Sequence, residues 1–265
     1  MAELRVGTFL APNMMPVYEA ITETIARRLG TTAELVVETS YENCATDVND
    51  VCFVCSLPYV MFEREGISPS LPTAAPVLTG ARFGGKPIYF SDVIVRAESG
   101  FGSFLDLRGC RWAYNEPLSQ SGYGITRYHL VTLGETNGFF GDVIEAGYHE
   151  TAIEMVRDGE VDGAAIDCQV LAVAVREHPD LTETLRVVET LGPSTIQPIG
   201  VSRRLGEAVR ASIRDALVTM HEDRHLAARL AHGFIERLVP VEASSYDDIR
   251  AMVDECERAG FMRLR

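Results

Sequence analysis

The sequence predicts an α/β protein of two lobes, in which each lobe is a mainly parallel sheet flanked by helices. Three observations support this prediction. Extended apolar segments alternate with helical stripes in the first part of the chain, which is typical of βαβ units. The same alternation starts again after a long extended run at residues 87–96. Finally, 265 residues of 46% hydrophobic composition are enough for two cores of ordinary size.

The first alternation begins close to the N-terminus. Alternating apolar residues at 4–6 predict a strand, which ends in a proline-containing loop at residues 10–16. A helix follows, because apolar residues recur at helical spacing over residues 17–29 and Gly30 provides a stop. Further strands are predicted at residues 33–38, 51–55 and 71–78, with a short helix at 58–65.

The second alternation runs from residue 87 to residue 202. Strands are predicted at residues 87–96, 111–115, 143–146, 163–166, 185–189 and 198–202, with helices at 122–133, 151–157 and 168–176. Apolar stripes at residues 209–220, 226–234 and 249–256 predict C-terminal helices. We therefore expect residues 1–90 and 202–265 to form one lobe and residues 91–201 the other, with two crossing strands between them.

Charge and hydropathy limit the possible partners. The net charge of −14 argues against nucleic acid and against an anionic membrane surface, because both require clustered Lys and Arg. No stretch approaches the roughly 20 apolar residues of a membrane helix, so no membrane insertion is expected. Residues 1–5 lead directly into a strand with no signal-peptide core, which predicts a cytoplasmic protein unless a leader was removed. The expected partner is a small molecule.

The six cysteines are scattered among apolar residues, which predicts reduced, buried thiols. Cys52 and Cys55 form a C-x-x-C pair, but a strand at residues 51–55 would point their thiols to opposite faces. A metal or redox role for this pair is the alternative. We expect neither a metal nor a cofactor.

Polar side chains follow three strands of the second alternation. Residues 115–122 form the first such loop, His149 lies in the second, and Asp167 ends the third strand. The carboxyl ends of parallel strands meet at one edge of a sheet, where helix N-termini present backbone amides. Ser119, Gln120 and Ser121 add side-chain donors to the amides of the helix that starts near residue 122. An oxyanion would fit this loop without a lysine.

Each of these residues also has a purely structural interpretation. Ser119 or Ser121 is compatible with an ordinary helix N-cap, and His149 with a surface or capping position. Asp167 would either receive a cationic part of a ligand or cap the following helix. The remaining candidates are tyrosines at strand ends or helix starts, a residue type that usually serves the core. They are Tyr41, Tyr59 and Tyr89.

Taken in order, five segments resemble the substrate-binding proteins of phosphonate, phosphite and phosphate ABC transporters, which have the type II periplasmic-binding-protein fold. The segments are YFSDVIVR at residues 89–96, LDLRG at 105–109, EPLSQSGY at 116–123, GYHETAI at 147–153 and GEVDGAAID at 159–167. The third resembles the anion loop of the family, P-x-S-T-S-G-Y. The resemblance covers most of the chain and is closer in the second lobe than in the first.

The resemblance implies a role for each candidate. Ser119, Gln120, Ser121 and His149 would hold the phosphonyl oxygens, and Asp167 would face the other end of the ligand. Tyr41, Tyr59 and Tyr89 would close over the ligand from the other lobe and the hinge. Two positions depart from the family. Gln120 replaces the usual threonine, and Gln197 lies where some members carry a carboxylate, so the size and charge of the ligand are open.

The resemblance thus implies a solute-binding protein that captures a small phosphonate- or phosphate-like anion between its lobes by hinge closure, as a receptor for an ABC-transporter permease or as a sensor. It also implies a periplasmic or extracytoplasmic location, whereas residues 1–5 predict a cytoplasmic one, so the location is open. An enzyme on the same fold, of the menaquinone-pathway or thiamine-pyrimidine-synthase type, is the alternative, with His149, Glu150 and Asp167 as acid or base. No nucleophile motif, P-loop or metal-ligand pattern supports an enzyme. The effector domain of a transcription regulator is a third possibility, but the attached DNA-binding helices are missing.

Overall fold

The computed structural model describes residues 3–67 and 70–265. The chain divides into two compact units, one formed by residues 1–88 and 195–247 and the other by residues 89–194 and 248–265. It therefore passes from one unit to the other at residues 88–89, 194–195 and 247–248. The prediction that no signal-peptide core precedes the first strand rests partly on residues 1–2, which lie outside the described residues.

Strands and helices alternate as the sequence predicts over most of the chain, but residues 235–240 form a strand in a part of the chain that was predicted to be helical. The strands are β1 (Leu4–Thr8), β2 (Ala33–Val37), β3 (Val51–Phe53), β4 (Ser70–Leu78), β5 (Ile88–Arg96), β6 (Arg111–Tyr114), β7 (Asp142–Glu145), β8 (Gly163–Asp167), β9 (Leu185–Thr195), β10 (Ile199–Ser202) and β11 (Ile235–Pro240). The helices are α1 (Met15–Leu29), α2 (Glu42–Ala45), α3 (Ser56–Arg64), α4 (Ile125–Thr132), α5 (His149–Arg157), α6 (Cys168–Glu177), α7 (Leu181–Thr184), α8 (Glu207–Thr219), α9 (Arg224–Leu230) and α10 (Asp247–Arg258).

The first unit is built on a six-stranded sheet of order β11-β4-β10-β3-β1-β2. Strand β1 runs parallel to β2 and β3, whereas β10 is antiparallel to its two neighbours and β11 is antiparallel to β4. Three of these five strand pairs are antiparallel, so the sheet is mixed, whereas the sequence predicted a mainly parallel one. Helix α1 packs through Val17, Ile21 and Ile25, which recur at helical spacing and are buried. The helix ends at Gly30, whose left-handed φ of 63° suits glycine.

The second unit is built on a five-stranded sheet of order β7-β6-β8-β5-β9. Strands β7, β6 and β8 are parallel, and β5 is antiparallel to β8. Trp112 is fully buried on one face of this sheet, where its ring stacks on Phe140 with centroids 4.5 Å apart. The parallel part of this sheet places the carboxyl ends of β6, β7 and β8 at the same edge.

The division of the chain differs from the sequence-based boundaries at three places. Residues 89–90 belong to the second unit. Residues 195–201 belong to the first unit, and residues 248–265 belong to the second. Phe261 and Leu264 are buried in the core of the second unit, and the Leu264 amide donates to Tyr123 Oη at 3.3 Å. An apolar stripe shows that a helix is buried but not which sheet it covers, so the sequence alone left the C-terminal segment in the first lobe.

The remaining features concern thiols, metals and membranes. None of the six cysteines, all of which lie within the described residues, forms a disulfide bond, and all except Cys110 are buried. Among residues 3–67 and 70–265 there is no cluster of three or more His, Cys, Asp or Glu side chains placed to hold a metal ion. Nor does that part of the chain contain a helix long and apolar enough to cross a membrane.

Candidate functional site

The loop after β6 leads into a π-helical turn, Gln120–Gly124, that continues into α4. Ser119 is the N-cap of this turn, and its Oγ accepts from the Gly122 amide at 3.0 Å. The same Oγ lies 3.3 Å from Ser121 Oγ, and both serines are buried. Ser119 is therefore an N-cap, as one of the two interpretations predicted. Residues 119–122, which we call the anion loop, bring two hydroxyls to the start of a helix.

Gly122 is the one position in the anion loop where a side chain would not fit. A Cβ atom built there would lie 2.1 Å from Asn115 Oδ1, far inside van der Waals contact. Asn115 directly follows β6, and its Oδ1 has no hydrogen-bond partner within the described residues. The close approach of Asn115 to the backbone of the turn explains the glycine.

His149 is the first residue of α5 and follows the left-handed Gly147 and the N-cap residue Tyr148. Its Nε2 lies 2.8 Å from Ser121 Oγ. The side chain is buried, and this burial lowers its pKa to about 3, so the imidazole is neutral at pH 7. Its Nδ1 has no hydrogen-bond partner in the part of the chain that the structure describes. When Ser121 donates to Nε2, Nδ1 carries the proton and can donate to an anion.

Asp167 ends β8 and caps α6, and its Oδ1 accepts from the Gln169 amide at 2.8 Å. The carboxylate is 4% exposed. On the sheet, Asp167 pairs with Ser91 of β5. Oδ1 of Asp167 therefore caps the helix, as one of the two interpretations predicted. A contact between the carboxylate and a ligand remains a prediction.

The side chain of Gln120 takes a direction that the sequence did not indicate. Its Nε2 donates to Ser194 Oγ and to the Met252 sulfur, each at 3.2 Å. The side chain is 1% exposed. Gln120 is thus directed at the end of β9 and at α10, whereas the resemblance had placed it on the phosphonyl oxygens.

The three candidate tyrosines have aromatic or core surroundings. Tyr89 lies in β5 within the second unit and is 1% exposed. Tyr41 and Tyr59 belong to the first unit. Tyr41 stacks on Phe9 with centroids 4.9 Å apart, and Tyr59 packs edge-on against Tyr246 at 5.1 Å. Their contact with a ligand remains a prediction.

Within the second unit, direct contacts join Ser119, Ser121 and His149. Sequence reasoning did not single out Asn115, although its position directly after a strand was a usable signal. Ser194 and Met252 gave no signal, since 74 and 132 positions separate them from Gln120.

Two α/β units with a polar loop at the carboxyl ends of parallel strands define a solute-binding protein. The chain belongs to the family of periplasmic substrate-binding proteins of phosphonate ABC transporters, because the family model "ABC transporter, phosphonate, periplasmic substrate-binding protein" matches residues 8–246. Both the predicted fold class and the family resemblance are confirmed. Members of this family are binding components of transporters, and nothing in the comparisons supports the enzyme alternative.

Solved structures share the fold at low sequence identity. A binding-protein component of a phosphonate ABC transporter from Pseudomonas aeruginosa is similar with a TM-score of 0.84 at 16% identity, over 97% of this chain and 87% of that one. A Prochlorococcus marinus protein in complex with methylphosphonate is similar with a TM-score of 0.80 at 16% identity, over 97% of this chain and 98% of that one. The periplasmic aliphatic sulphonate binding protein of Escherichia coli is similar with a TM-score of 0.66 at 14% identity, over 100% of this chain and 92% of that one.

Proposed function

We propose that this chain captures a small phosphonate-like anion on the anion loop of its second unit and presents it to an ABC-transporter permease. The observation that carries the proposal is the 2.8 Å contact between Ser121 Oγ and His149 Nε2 in a buried environment. It joins two loops that follow neighbouring parallel strands, and it leaves Nδ1 of a neutral imidazole as a donor. The methylphosphonate complex of the Prochlorococcus marinus protein supports the ligand class.

The chemistry of the loop favours an oxyanion. The Ser119 hydroxyl, Nδ1–H of the neutral imidazole and the backbone amides at the start of the helix can donate hydrogen bonds, and the helix dipole adds partial positive charge. Ser121 donates its one hydroxyl proton to His149 Nε2 and so holds the imidazole in this tautomer. No residue from 119 to 122 is charged. A tetrahedral phosphonate offers three oxygens to several donors that converge, whereas a planar carboxylate offers two.

Asp167 gives the proposed site a possible preference among phosphonates. A buried carboxylate near the anion loop would repel a second anionic group and attract an ammonium group. We therefore include aminoalkylphosphonates among the proposed ligands.

The family description supports a role outside the cytoplasm. It names periplasmic substrate-binding proteins, and a receptor for an uptake transporter works on the side from which the solute arrives. We propose an extracytoplasmic location on this basis. We also propose that ligand binding is accompanied by closure of the lobes, which a permease or sensor partner would read.

A serine paired with a histidine also occurs in hydrolases, where the histidine acts as a base oriented by a third group. Here no carboxylate within the described residues pairs with Nδ1 of His149. A pKa of about 3 also makes the imidazole a weak base. Both properties favour a hydrogen-bond donor for a bound anion over an activated nucleophile.

Isothermal titration calorimetry with methylphosphonate, phosphite, phosphate, 2-aminoethylphosphonate and methanesulfonate tests the proposal. We expect at least one phosphorus oxyanion to bind more tightly than methanesulfonate, and to lower the radius of gyration in small-angle X-ray scattering. Methanesulfonate has the same tetrahedral shape and is the matched control, since a structural neighbour binds aliphatic sulphonates. Binding of methanesulfonate alone, or of none of the five, would refute the proposed ligand class.

A further inference from the structure

We propose that Gln120 is a positioning residue that ties the anion loop to the place where the chain leaves the second unit. The inference rests on the proposed function, because it assigns a role in anion binding to a side chain that does not contact the anion.

The contacts of one carboxamide carry the inference. Nε2 of Gln120 lies 3.2 Å from Ser194 Oγ and 3.2 Å from the Met252 sulfur, and Ser194 Oγ lies 4.0 Å from that sulfur. Gln120 and Ser194 are 1% and 4% exposed. A primary amide nitrogen has two N–H groups, and these two contacts engage both. Nε2 therefore has no N–H left for a ligand oxygen.

The partners of Gln120 lie close to two of the three chain passages. Ser194 is the last residue of the second unit before the chain enters the first unit at Thr195. Met252 lies in α10, the helix that begins at the passage at residues 247–248. A single buried side chain thus connects the anion loop to both segments.

This connection links ligand binding to the passage at Ser194. An anion that orders Ser119 and Ser121 also fixes the backbone of Gln120 between them, and hence the carboxamide on Ser194. If anion binding shifts the equilibrium between two positions of Ser194 by some factor, thermodynamic linkage requires that the affinities of these two positions for the anion differ by the same factor. Gln120 therefore contributes to affinity through the geometry of the loop.

A double-mutant cycle tests the role. Gln120→Met keeps the length of the side chain and removes the amide, Ser194→Ala removes the acceptor, and Ser194→Thr keeps a hydroxyl. The probe is the phosphorus oxyanion that the wild type binds most tightly, titrated by calorimetry at a temperature where every variant is folded. We expect Gln120→Met and Ser194→Ala each to weaken binding about fivefold, as for one hydrogen bond. The double variant should bind no worse than either, and Ser194→Thr should bind like the wild type.

Three results would overturn the inference. If Gln120→Met weakens binding and Ser194→Ala does not, then Gln120 acts on the ligand directly. If both variants lower the midpoint of thermal unfolding but keep the wild-type Kd, the contact is only structural. If the effects of the two substitutions add, the side chains are not coupled.

Each result presupposes that the wild type binds the probe, so failure of the wild type to bind any of the five anions would refute the proposed function itself.

Discussion

Ser121 Oγ and His149 Nε2 lie 2.8 Å apart, although 28 positions separate the two residues in the chain. Ser121 lies in the turn after β6, and His149 begins the helix after β7. Because β6 and β7 are parallel neighbours, their carboxyl ends lie side by side, and the contact joins the two loops that follow them.

Removing either partner of this contact should weaken anion binding. We expect Ser121→Ala and His149→Ala each to raise the Kd for methylphosphonate by about 10- to 100-fold, since hydrogen bonds to a charged group contribute roughly 1.5–3 kcal/mol. Calorimetry measures the Kd, and circular dichroism checks that the variants are folded. Ser99→Ala, which removes a hydroxyl bonded to the Arg96 carbonyl in the same unit, should bind like the wild type. Unchanged affinity in both site variants would refute the site.

The buried imidazole should make the ligand-free protein less stable in acid. The pKa of His149 is about 3 in the folded protein, below its ordinary value of 6.5. Between these values the unfolded chain binds the extra proton and the folded chain does not, so the free energy of unfolding falls as the pH falls. The loss is about 1.4 kcal/mol for each pH unit below 6.5, or about 2 kcal/mol by pH 5.

Urea unfolding of the wild type and His149→Gln at pH 7 and pH 5 measures this contribution. Glutamine does not titrate, so the variant should lose less stability than the wild type between the two pH values. His178→Gln is the control, because His178 is exposed. An identical pH dependence in the wild type and His149→Gln would show that the imidazole titrates normally.

A methyl group at Gly122 should disrupt the turn. The Cβ of Gly122→Ala would meet Asn115 Oδ1 at 2.1 Å, and we expect a loss of about 1–3 kcal/mol in the free energy of unfolding. Anion binding should weaken as well. Asn115→Gly removes the obstructing amide, so the double variant should recover most of the stability. Gly100→Ala, where no atom lies within 4 Å of the new Cβ, is the matched control, and equal effects at the two glycines would contradict the prediction.

Asp167→Asn should separate two kinds of phosphonate. The variant keeps a side-chain oxygen that can cap α6 but loses the negative charge. If Asp167 faces the amine of a ligand, the Kd for 2-aminoethylphosphonate should rise about tenfold or more while the Kd for methylphosphonate changes little. Equal changes for both ligands would refute the amine contact and leave Asp167 as a helix cap.

Much of the second unit could be predicted from the sequence because general rules apply there. The strand before each polar loop is apolar, and parallel strands place their carboxyl ends at one edge, so the proximity of Ser121 and His149 followed from topology alone. The amphipathic stripe of α10 likewise identified its buried face. It did not identify the sheet that this face covers, and residues 248–265 were assigned to the other lobe for that reason.

The direction of the Gln120 side chain could not be predicted for a different reason. The sequence predicted a loop at Gln120, whereas residues 120–124 form a π-helical turn, a rare conformation whose side-chain directions differ from those of a loop. Nothing in the local sequence indicates Ser194 or Met252 as partners. The roles of Tyr41, Tyr59 and Tyr89 in ligand binding stay predictions, since aromatic rings serve a core and a ligand equally well.

The burial of Trp112 gives the second unit a spectroscopic signal of its own. Trp112 is the only tryptophan in the chain and stacks on Phe140 in that core. Its intrinsic fluorescence therefore reports the loss of packing in the second unit, whereas far-ultraviolet circular dichroism follows the helices of both. If the two signals change together during denaturation, the chain unfolds as one cooperative system; if they separate, each unit has its own transition. The chain carries this internal reporter without any label.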